Sequence, residues 1–465
     1  MSQTRTIASS RPETRAWIAV ALALAAGALL RFQMLRAFFE VRDDSQMYGG
    51  IAKNLLRHGA YALGDGPLHL TLIRLPGYPL FLAACFRLFG MENYWAACIV
   101  QISLDLVACL LLGDIAARIT RPNRGSTARV WTVWLAACCP FTAIYAAEPL
   151  TEAPTVFCIA LALWAMARFW QRPAWASALA FTFAVSYAAL LRPDGALVGM
   201  AFAPVMAVSL LRARVSSGRK VAMGLACLLL ALAPFAVWAA RNWRVYHVVQ
   251  PLAPRYATDP GEETWPGWQA WVKSWSLDFV STYDIYWNAP GGPLDLGKLP
   301  ARAFDSAAER AATAQLAADY EKNGQEFSPE IDARFMELAR RRAAAHPVRA
   351  YLLLPLGRMA DMWLRPRIEN LPIDLDWWQY GNHRAETRFS WFYVGLNLAY
   401  LLGAAAGLLR RPSLWLPMLA YLVLRSAMLC NIEAPEARYT IECFPMLFVL
   451  CAVAFTPRFR RAAEV

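Results

Sequence analysis

WIAVALALAAGALL (residues 17–30) and VRDDSQMYGGIAKNLLRHGAYAL (residues 41–63) together decide how this chain folds. The first stretch has no charged side chain. Continued to about Leu35, with Arg31 snorkelling its charge to the lipid boundary, it is long enough to cross a bilayer as a helix. The second stretch places adjacent carboxylates, Asp43 and Asp44, a few residues further on. Charge is costly in lipid and ordinary at its edge, so the pair belongs at the water boundary. Tyr48, Ile51, Ala52, Leu55 and Leu56 then recur at helical spacing, so 45–57 reads as a short amphipathic helix, stopped by Gly59. Residue type alone leaves Asp44 or Ser45 as a simple helix cap or as part of a site.

The apolar pattern recurs along the chain. Of its 465 residues 58% are hydrophobic and 19 are Trp, and the mean hydropathy is +0.32. Soluble domains are nearer half apolar. Apolar runs at roughly 17–35, 94–117, 129–147, 153–170, 174–191, 195–211, 221–240, 389–409, 412–430 and 439–456 predict an all-α polytopic membrane protein with about ten transmembrane helices.

With an uncleaved N-terminal anchor and the N-terminus in the cytoplasm, the basic residues fall on one side. They are Arg118, Arg121, Arg124 and Arg129; Arg168 and Arg172; Arg212, Arg214, Arg219 and Lys220; Arg410 and Arg411; and the tail PRFRRAAEV. That is the positive-inside pattern. It accounts for much of the net charge of +12 without nucleic acid, since no basic stripe is interleaved with polar readout residues. The ten Cys lie mostly in apolar runs and form no CxxC pair, and the five His show no zinc-ligand spacing, so no metal motif is present.

PLFLAACFRLFG (79–90) and YLLLPLGRMADMW (351–363) are too short to span and read as interfacial helices. Two hydrophilic regions then face outward, 36–93 and 241–388, with C-terminal helices over 389–465 closing a single membrane module, 1–465. In the second region FSPEIDARFMELARRRAAAHP signals a soluble helix: Ser328 as cap, Pro329 first, Glu330 and Asp332 in the first turn, and Arg340, Arg341 and Arg342 at the far end. The nearby Trp265, Trp268, Trp271 and Trp275 are better explained by interfacial packing than by stacking on a sugar.

Several outward motifs combine acids and bases. Arg74 precedes LPGYP, and its guanidinium fork suits either lipid headgroups or a specific phosphate. Glu148 and Glu152 lie in AAEPLTEAP, on one face if a helix continues through it. Arg192 stands in the turn LLRPDG, and RNW at 241–243 opens the large loop. Arg438 and Tyr439 lie in EARYTIECFP, where Glu442 enters the membrane with Arg438 as its expected partner at helical spacing. Acids and bases gathered at one face suit a reaction that needs a base and a site for an anionic leaving group.

DDSQMYGGIAKNLLRHGAY followed by RLPGYPLFLAACFRLFG resembles the first outer loop of the GT-C superfamily of membrane glycosyltransferases. The nearest likeness is to the family 39/83 type, the protein-mannosyltransferase-like and lipid A aminoarabinose-transferase-like enzymes. EPLTE, LLRP, ARNW and EARYTIECFP follow in the family's order, while 254–345 matches no subfamily. The resemblance implies a polyprenyl-phosphate-linked sugar donor. It also implies inverting transfer to an envelope lipid, glycan or protein, at the periplasmic face of a bacterial inner membrane. It makes Asp44 the catalytic acid ahead of Asp43, because Tyr48 then lies four residues on. Arg74, Arg438 and Tyr439 become donor-phosphate contacts, although the family often has Lys or His at the first of these positions. Glu148 and Glu152 form a second acidic patch, and Tyr48, Arg192 and Glu442 are supporting residues. Some members use a divalent ion and others do not, and these carboxylates leave both open. The competing class is a transporter or flippase, for which Asp105 and Arg425, charged residues within spans, are the supporting features.

Overall fold

A computed structural model describes residues 10–120, 124–378 and 383–456. Arg121 and the basic tail at 457–465 lie outside the described residues. In chain order the helices are α1 (Ser10–Phe38), α2 (Asp44–His58), α3 (Gly77–Phe89), α4 (Tyr94–Ile119), α5 (Gly125–Ala137), α6 (Pro140–Ala146), α7 (Glu152–Gln171), α8 (Trp175–Leu191), α9 (Ala196–Arg212) and α10 (Ser217–Tyr246). They continue as α11 (Pro266–Lys273), α12 (Phe279–Ser281), α13 (Ala307–Lys322), α14 (Pro329–Ala345), α15 (Leu354–Leu364), α16 (Arg384–Leu408), α17 (Trp415–Leu429) and α18 (Phe444–Phe455). The strands found among the described residues form one small antiparallel hairpin, Ala62–Leu63 against His69–Leu70.

The protein is an all-α integral membrane protein. Among the described residues seven helical segments are long and apolar enough to cross a membrane: α1, α4, α7, Pro193–Arg212, α10, α16 and Ala437–Phe455. An eighth is obtained if α5 and α6 count as one bent span, and α8 and α17 are shorter apolar helices. The run expected as one straight span at 129–147 is therefore broken, with α5 and α6 at 58°. Pro140, at the start of α6, lacks the N–H a continuous helix would need.

The described chain divides into two compact units, one drawn from the described residues up to 261, 399–422 and 441–456, the other from the described residues of 262–398 and 423–440. In the first, α4 packs on α5 and α7, α7 on α8, α1 on α5 and α2 on α3. Arg31 does not snorkel as expected. It is fully buried, 2.5 Å from Asp105 of α4, and donates to the carbonyls of Gly27 (3.1 Å) and Ala137. A cation this deep is tolerated only with such partners. Asp105 is thereby engaged in the packing of the helices.

The second unit has a core of its own. Trp268, Trp271 and Trp275 recur at helical spacing on or just after α11 and are buried with Leu316 and Tyr320 of α13 and Ile331 and Phe335 of α14. These indoles lie inside a protein core and not at a membrane interface. α14 begins as the sequence predicts, with the Ser328 hydroxyl accepting the Ile331 N–H. Asp332 does something the sequence did not signal. Its carboxylate accepts the N–H groups of Gly267 (2.9 Å) and Trp268 (2.8 Å), capping the N-terminus of α11 from another helix. Asp332→Ala leaves those donors buried and unpaired, which costs about 1–3 kcal/mol. Limited proteolysis of the purified protein should show faster cleavage in 262–345, with Asp332→Asn intermediate.

The element at 351–363, expected to lie on the membrane surface, has two unlike faces. Arg358 is buried and donates to the carbonyls of Ser276 and Lys273. Tyr351, Leu352, Leu353 and Leu356 are exposed.

Candidate active site

α2 starts where the sequence places a helix, but not by a side-chain cap. Asp43 occupies the N-cap position with φ 46° and makes no capping bond through its carboxylate. That left-handed backbone turns the chain so that Asp44 opens the helix. Asp44 Oδ1 lies 2.7 Å from an Nη of Arg74, with both side chains partly exposed. The cap reading of Asp44 and Ser45 gives way to an ion pair. Gly59 ends the helix in the left-handed region, φ 64°, as the sequence suggests.

Arg74 is held by its surroundings. The Tyr61 hydroxyl donates to the Arg74 carbonyl at 3.0 Å. Asn54 fixes the hairpin before it through the carbonyls of Ala62 and Gly64. Arg241 of α10 donates to the carbonyls of Tyr61 (3.0 Å) and Thr71 (2.7 Å), so the RNW motif supports this loop. His69 and Asp259 meet at 3.5 Å, and Asp259 also accepts the Leu72 N–H. Gly77 lets α3 approach the end of α8, since a Cβ there would stand 2.6 Å from the Leu190 carbonyl. The Tyr187 hydroxyl closes the contact by donating to the Gly77 carbonyl at 3.0 Å.

α8 ends at Leu191 because Pro193 follows, and the residue before a proline is driven to extended backbone. Arg192, at φ −147° and ψ 132°, projects into a group of acids. It lies 3.0 Å from Glu152, 3.5 Å from Asp194 and 3.2 Å from Glu442. Glu152 and Glu442 are buried. Glu148 and Glu152 do not share a helix: Glu148 lies in the turn after α6 and Glu152 is the first residue of α7. One expectation is corrected here. Glu442 meets Arg192, while Arg438 pairs with Glu436 at 2.6 Å. Residues Ala437–Cys443 form a 3-10 helix, whose three residues per turn put positions four apart on different faces.

Tyr48 joins the two ion-pair groups. Its ring packs edge-on to Tyr78 at 5.1 Å and beneath the Arg74 guanidinium at 5.9 Å. Burial, and next the Asp44 charge, push its phenol up to about 12, with Arg74 and Arg192 opposing and Glu152 adding to the rise. It is therefore a neutral hydrogen-bond donor at physiological pH and not a base. Tyr78 continues the connection: its hydroxyl donates to Gln101 at 2.6 Å, and Gln101 donates to the Glu148 carbonyl at 2.7 Å. Asp44, Arg74 and Tyr48 thus form one contact group, extended through Tyr78 and Gln101 to the Glu148 carbonyl, and Arg192 with Glu152, Asp194 and Glu442 forms a second, whose charges act on Tyr48; both groups lie in the first unit. Asp43 stands exposed beside Asp44.

Arg438 and Tyr439 lie in the second unit, where both are tied to the buried Glu436. Tyr78, Gln101 and Asp194 were not singled out from the sequence. Tyr78 and Asp194 read there as turn chemistry, and a lone Gln in an apolar run carries no pattern.

The first group combines a half-exposed carboxylate, a cation beside it and a neutral phenol. Such a set can take a proton from one group while stabilising negative charge on another. Residues 73–238, which hold Arg74, the second acidic patch and Arg192, match the family model described as dolichyl-phosphate-mannose-protein mannosyltransferase. No curated protein matches the chain. Among solved structures, the chain is similar to the Archaeoglobus fulgidus oligosaccharyltransferase tethered to an acceptor peptide, at 14% identity and TM-score 0.43. That match covers 94% of this chain and 49% of the other, so the chain spans about half the length of that enzyme. It is also similar to ArnT from Cupriavidus metallidurans, bound to undecaprenyl phosphate, at 16% identity and TM-score 0.38, covering 93% and 77% of the two chains. Over residues 73–238, which hold Arg74, Glu148, Glu152 and Arg192 but not Asp44, Tyr48 or Glu442, the chain is thus similar to a glycosyltransferase family.

Proposed function

We propose that the protein transfers a sugar from a polyprenyl-phosphate donor to an envelope acceptor, with inversion at the anomeric carbon and at the periplasmic face. The observation that carries this is the Asp44–Arg74 pair at 2.7 Å, partly open to solvent and backed by Tyr48. In one displacement, the acceptor hydroxyl gives its proton to Asp44 and attacks C1. The C1–O bond to phosphate breaks with its electron pair on the phosphate oxygen. Arg74 offsets the charge that develops there. A guanidinium has five N–H donors, more than one carboxylate uses, so holding Asp44 and binding phosphate are compatible. One carboxylate suffices, because no covalent glycosyl-enzyme forms. Asp43, exposed and at the cap position, orients the backbone of the helix that presents Asp44.

Arg192 has a different part in this reading. Held among Glu152, Asp194 and Glu442, it fixes the second acidic patch and leaves the phosphate to Arg74. Arg438 and Tyr439 are assigned to the donor phosphate on the family pattern alone. The name of the matched family specifies a polyprenyl-phosphate-linked donor, which fits the cation beside Asp44. The transporter reading loses one of its two supports, since Asp105 is the buried partner of Arg31.

Lipid-linked sugar profiling and envelope glycan analysis in a deletion strain test the proposal. The expected result is loss of one sugar from one envelope glycan together with accumulation of its lipid-linked donor. Unchanged glycans and an unchanged donor pool overturn it.

A further inference from the structure

The second unit contains a cavity of about 400 Å³ that the transfer reading does not use. That size lies within the range of small-molecule sites, about 300–1,000 Å³. Its wall carries four carboxylates, Asp278, Asp284, Asp361 and Asp376, and three cations, Lys298, Arg302 and Arg365. Each cation has a carboxylate: Arg302 pairs with Asp278, Lys298 lies 3.6 Å from Asp284 and Arg365 lies 3.6 Å from Asp361. Among the described residues no cation pairs with Asp376.

Two further polar groups on the wall lack partners. The indole N–H of Trp377 and the Nε–H of Arg365 are buried and have no hydrogen-bond acceptor among the described residues, in side chains 93% or more buried (7% exposed each). The indole N–H groups of Trp268, Trp271 and Trp275 are also unpaired but lie in a closed core, so what distinguishes Trp377 and Arg365 is that their side chains belong to the cavity wall, where an acceptor can be supplied. Trp378 stands edge-on to Trp377 with ring centres 5.8 Å apart, and it is 54% exposed. A flat apolar face is thus offered beside unpaired donors and a free carboxylate.

This combination excludes most ligand classes. A wall this polar does not suit an apolar molecule. With one carboxylate in excess it repels an anion, so it is not a site for phosphate. A free cation would compete with three cations already placed on the wall. What remains is a neutral molecule dense in hydroxyl groups that both donate and accept, with an apolar face for an indole. We infer that the cavity beside Trp377 and Trp378 is a binding site for a neutral saccharide. Hydroxyl hydrogens bond Asp376, hydroxyl oxygens accept from Trp377 and Arg365, and a sugar C–H face lies on Trp378. The inference goes beyond the transfer reading and stands without it.

The test uses the full chain in lipid nanodiscs against immobilised probes. These are neutral oligosaccharides of hexose and N-acetylhexosamine, an acidic oligosaccharide and an uncharged peptide. The expected result is binding of at least one neutral oligosaccharide, weakened at least tenfold by Trp378→Ala and by Asp376→Ala. Trp378 is exposed, so its loss spares the fold, and a thermal melt checks this. Asp376→Asn, which keeps an acceptor, should bind at an intermediate level. Absence of neutral saccharide binding, equal binding by the variants, or preference for the acidic glycan or the peptide overturns the inference. Turnover of Asp44→Asn is measured in parallel. Full turnover there sinks the transfer reading and leaves the binding result untouched.

Discussion

Asp44→Asn is expected to abolish sugar transfer while the protein still inserts and folds. The amide keeps the size of the carboxylate and an oxygen that accepts from Arg74, so the 2.7 Å contact has a neutral substitute. What is lost is the ability to take a proton from the acceptor hydroxyl. A positioned general base contributes about 10²–10⁴-fold, so turnover with purified lipid-linked donor should fall by at least that factor. Asp43→Asn is the internal control. Asp43 is exposed and makes no side-chain capping bond, so its variant should keep most of the activity. Arg74→Met should lose activity as well, with the loss deepening at low donor concentration if Arg74 holds phosphate. Full activity of Asp44→Asn in a defined assay would falsify the assignment of the base.

Asp105→Ala has the largest expected effect on stability. It removes the carboxylate 2.5 Å from Arg31 and leaves a guanidinium fully enclosed by helices. Arginine cannot shed its proton to escape this. Breaking one side of a buried ion pair costs about 3–5 kcal/mol. The remaining bonds to the carbonyls of Gly27 and Ala137 soften the loss without neutralising the charge. The double replacement Arg31→Met with Asp105→Leu should recover most of the stability, because a buried pair exchanged for apolar side chains is often nearly neutral. Thermal unfolding of the three variants in detergent gives the comparison. A transporter that moves charge through Asp105 would behave differently: the double variant would be stable and inactive. If the double variant instead retains transfer, Asp105 is a structural residue.

Much of this was legible in the sequence. The positions of the apolar runs, the amphipathic helix after Asp44, its glycine stop and the Ser328 start of α14 depend on spacing within one segment, and spacing is what a sequence displays. The partner choices were not legible, because they depend on which helix ends meet. Arg31 read as a snorkelling residue since nothing in its own helix shows Asp105 on α4. Glu442 was matched to Arg438 by assuming 3.6 residues per turn; the stretch is a 3-10 helix, and its contact with Arg192, from a distant segment, was not foreseen. Arg192 read as a supporting residue in a turn, without its partners. The proline after it sets its extended backbone, but the acids it meets come from residues 152, 194 and 442. The tryptophans at 268, 271 and 275 carried the right period for a helix face, and only the cover supplied by α13 and α14 shows that the face is internal.

The pairing of Arg192 with Glu442 also bears on how the protein is made. The group around Arg192 receives a carboxylate from residue 442, next to α18. Synthesis proceeds from the N-terminus, so a ribosome that has delivered the first ten helices to the membrane has delivered Asp44, Arg74 and Arg192 but not Glu442. A nascent chain therefore lacks one of the acids that hold Arg192 in place. Asp44 and Arg74 enter the membrane early, and the contacts around Arg192 are completed only after residue 442 has been made.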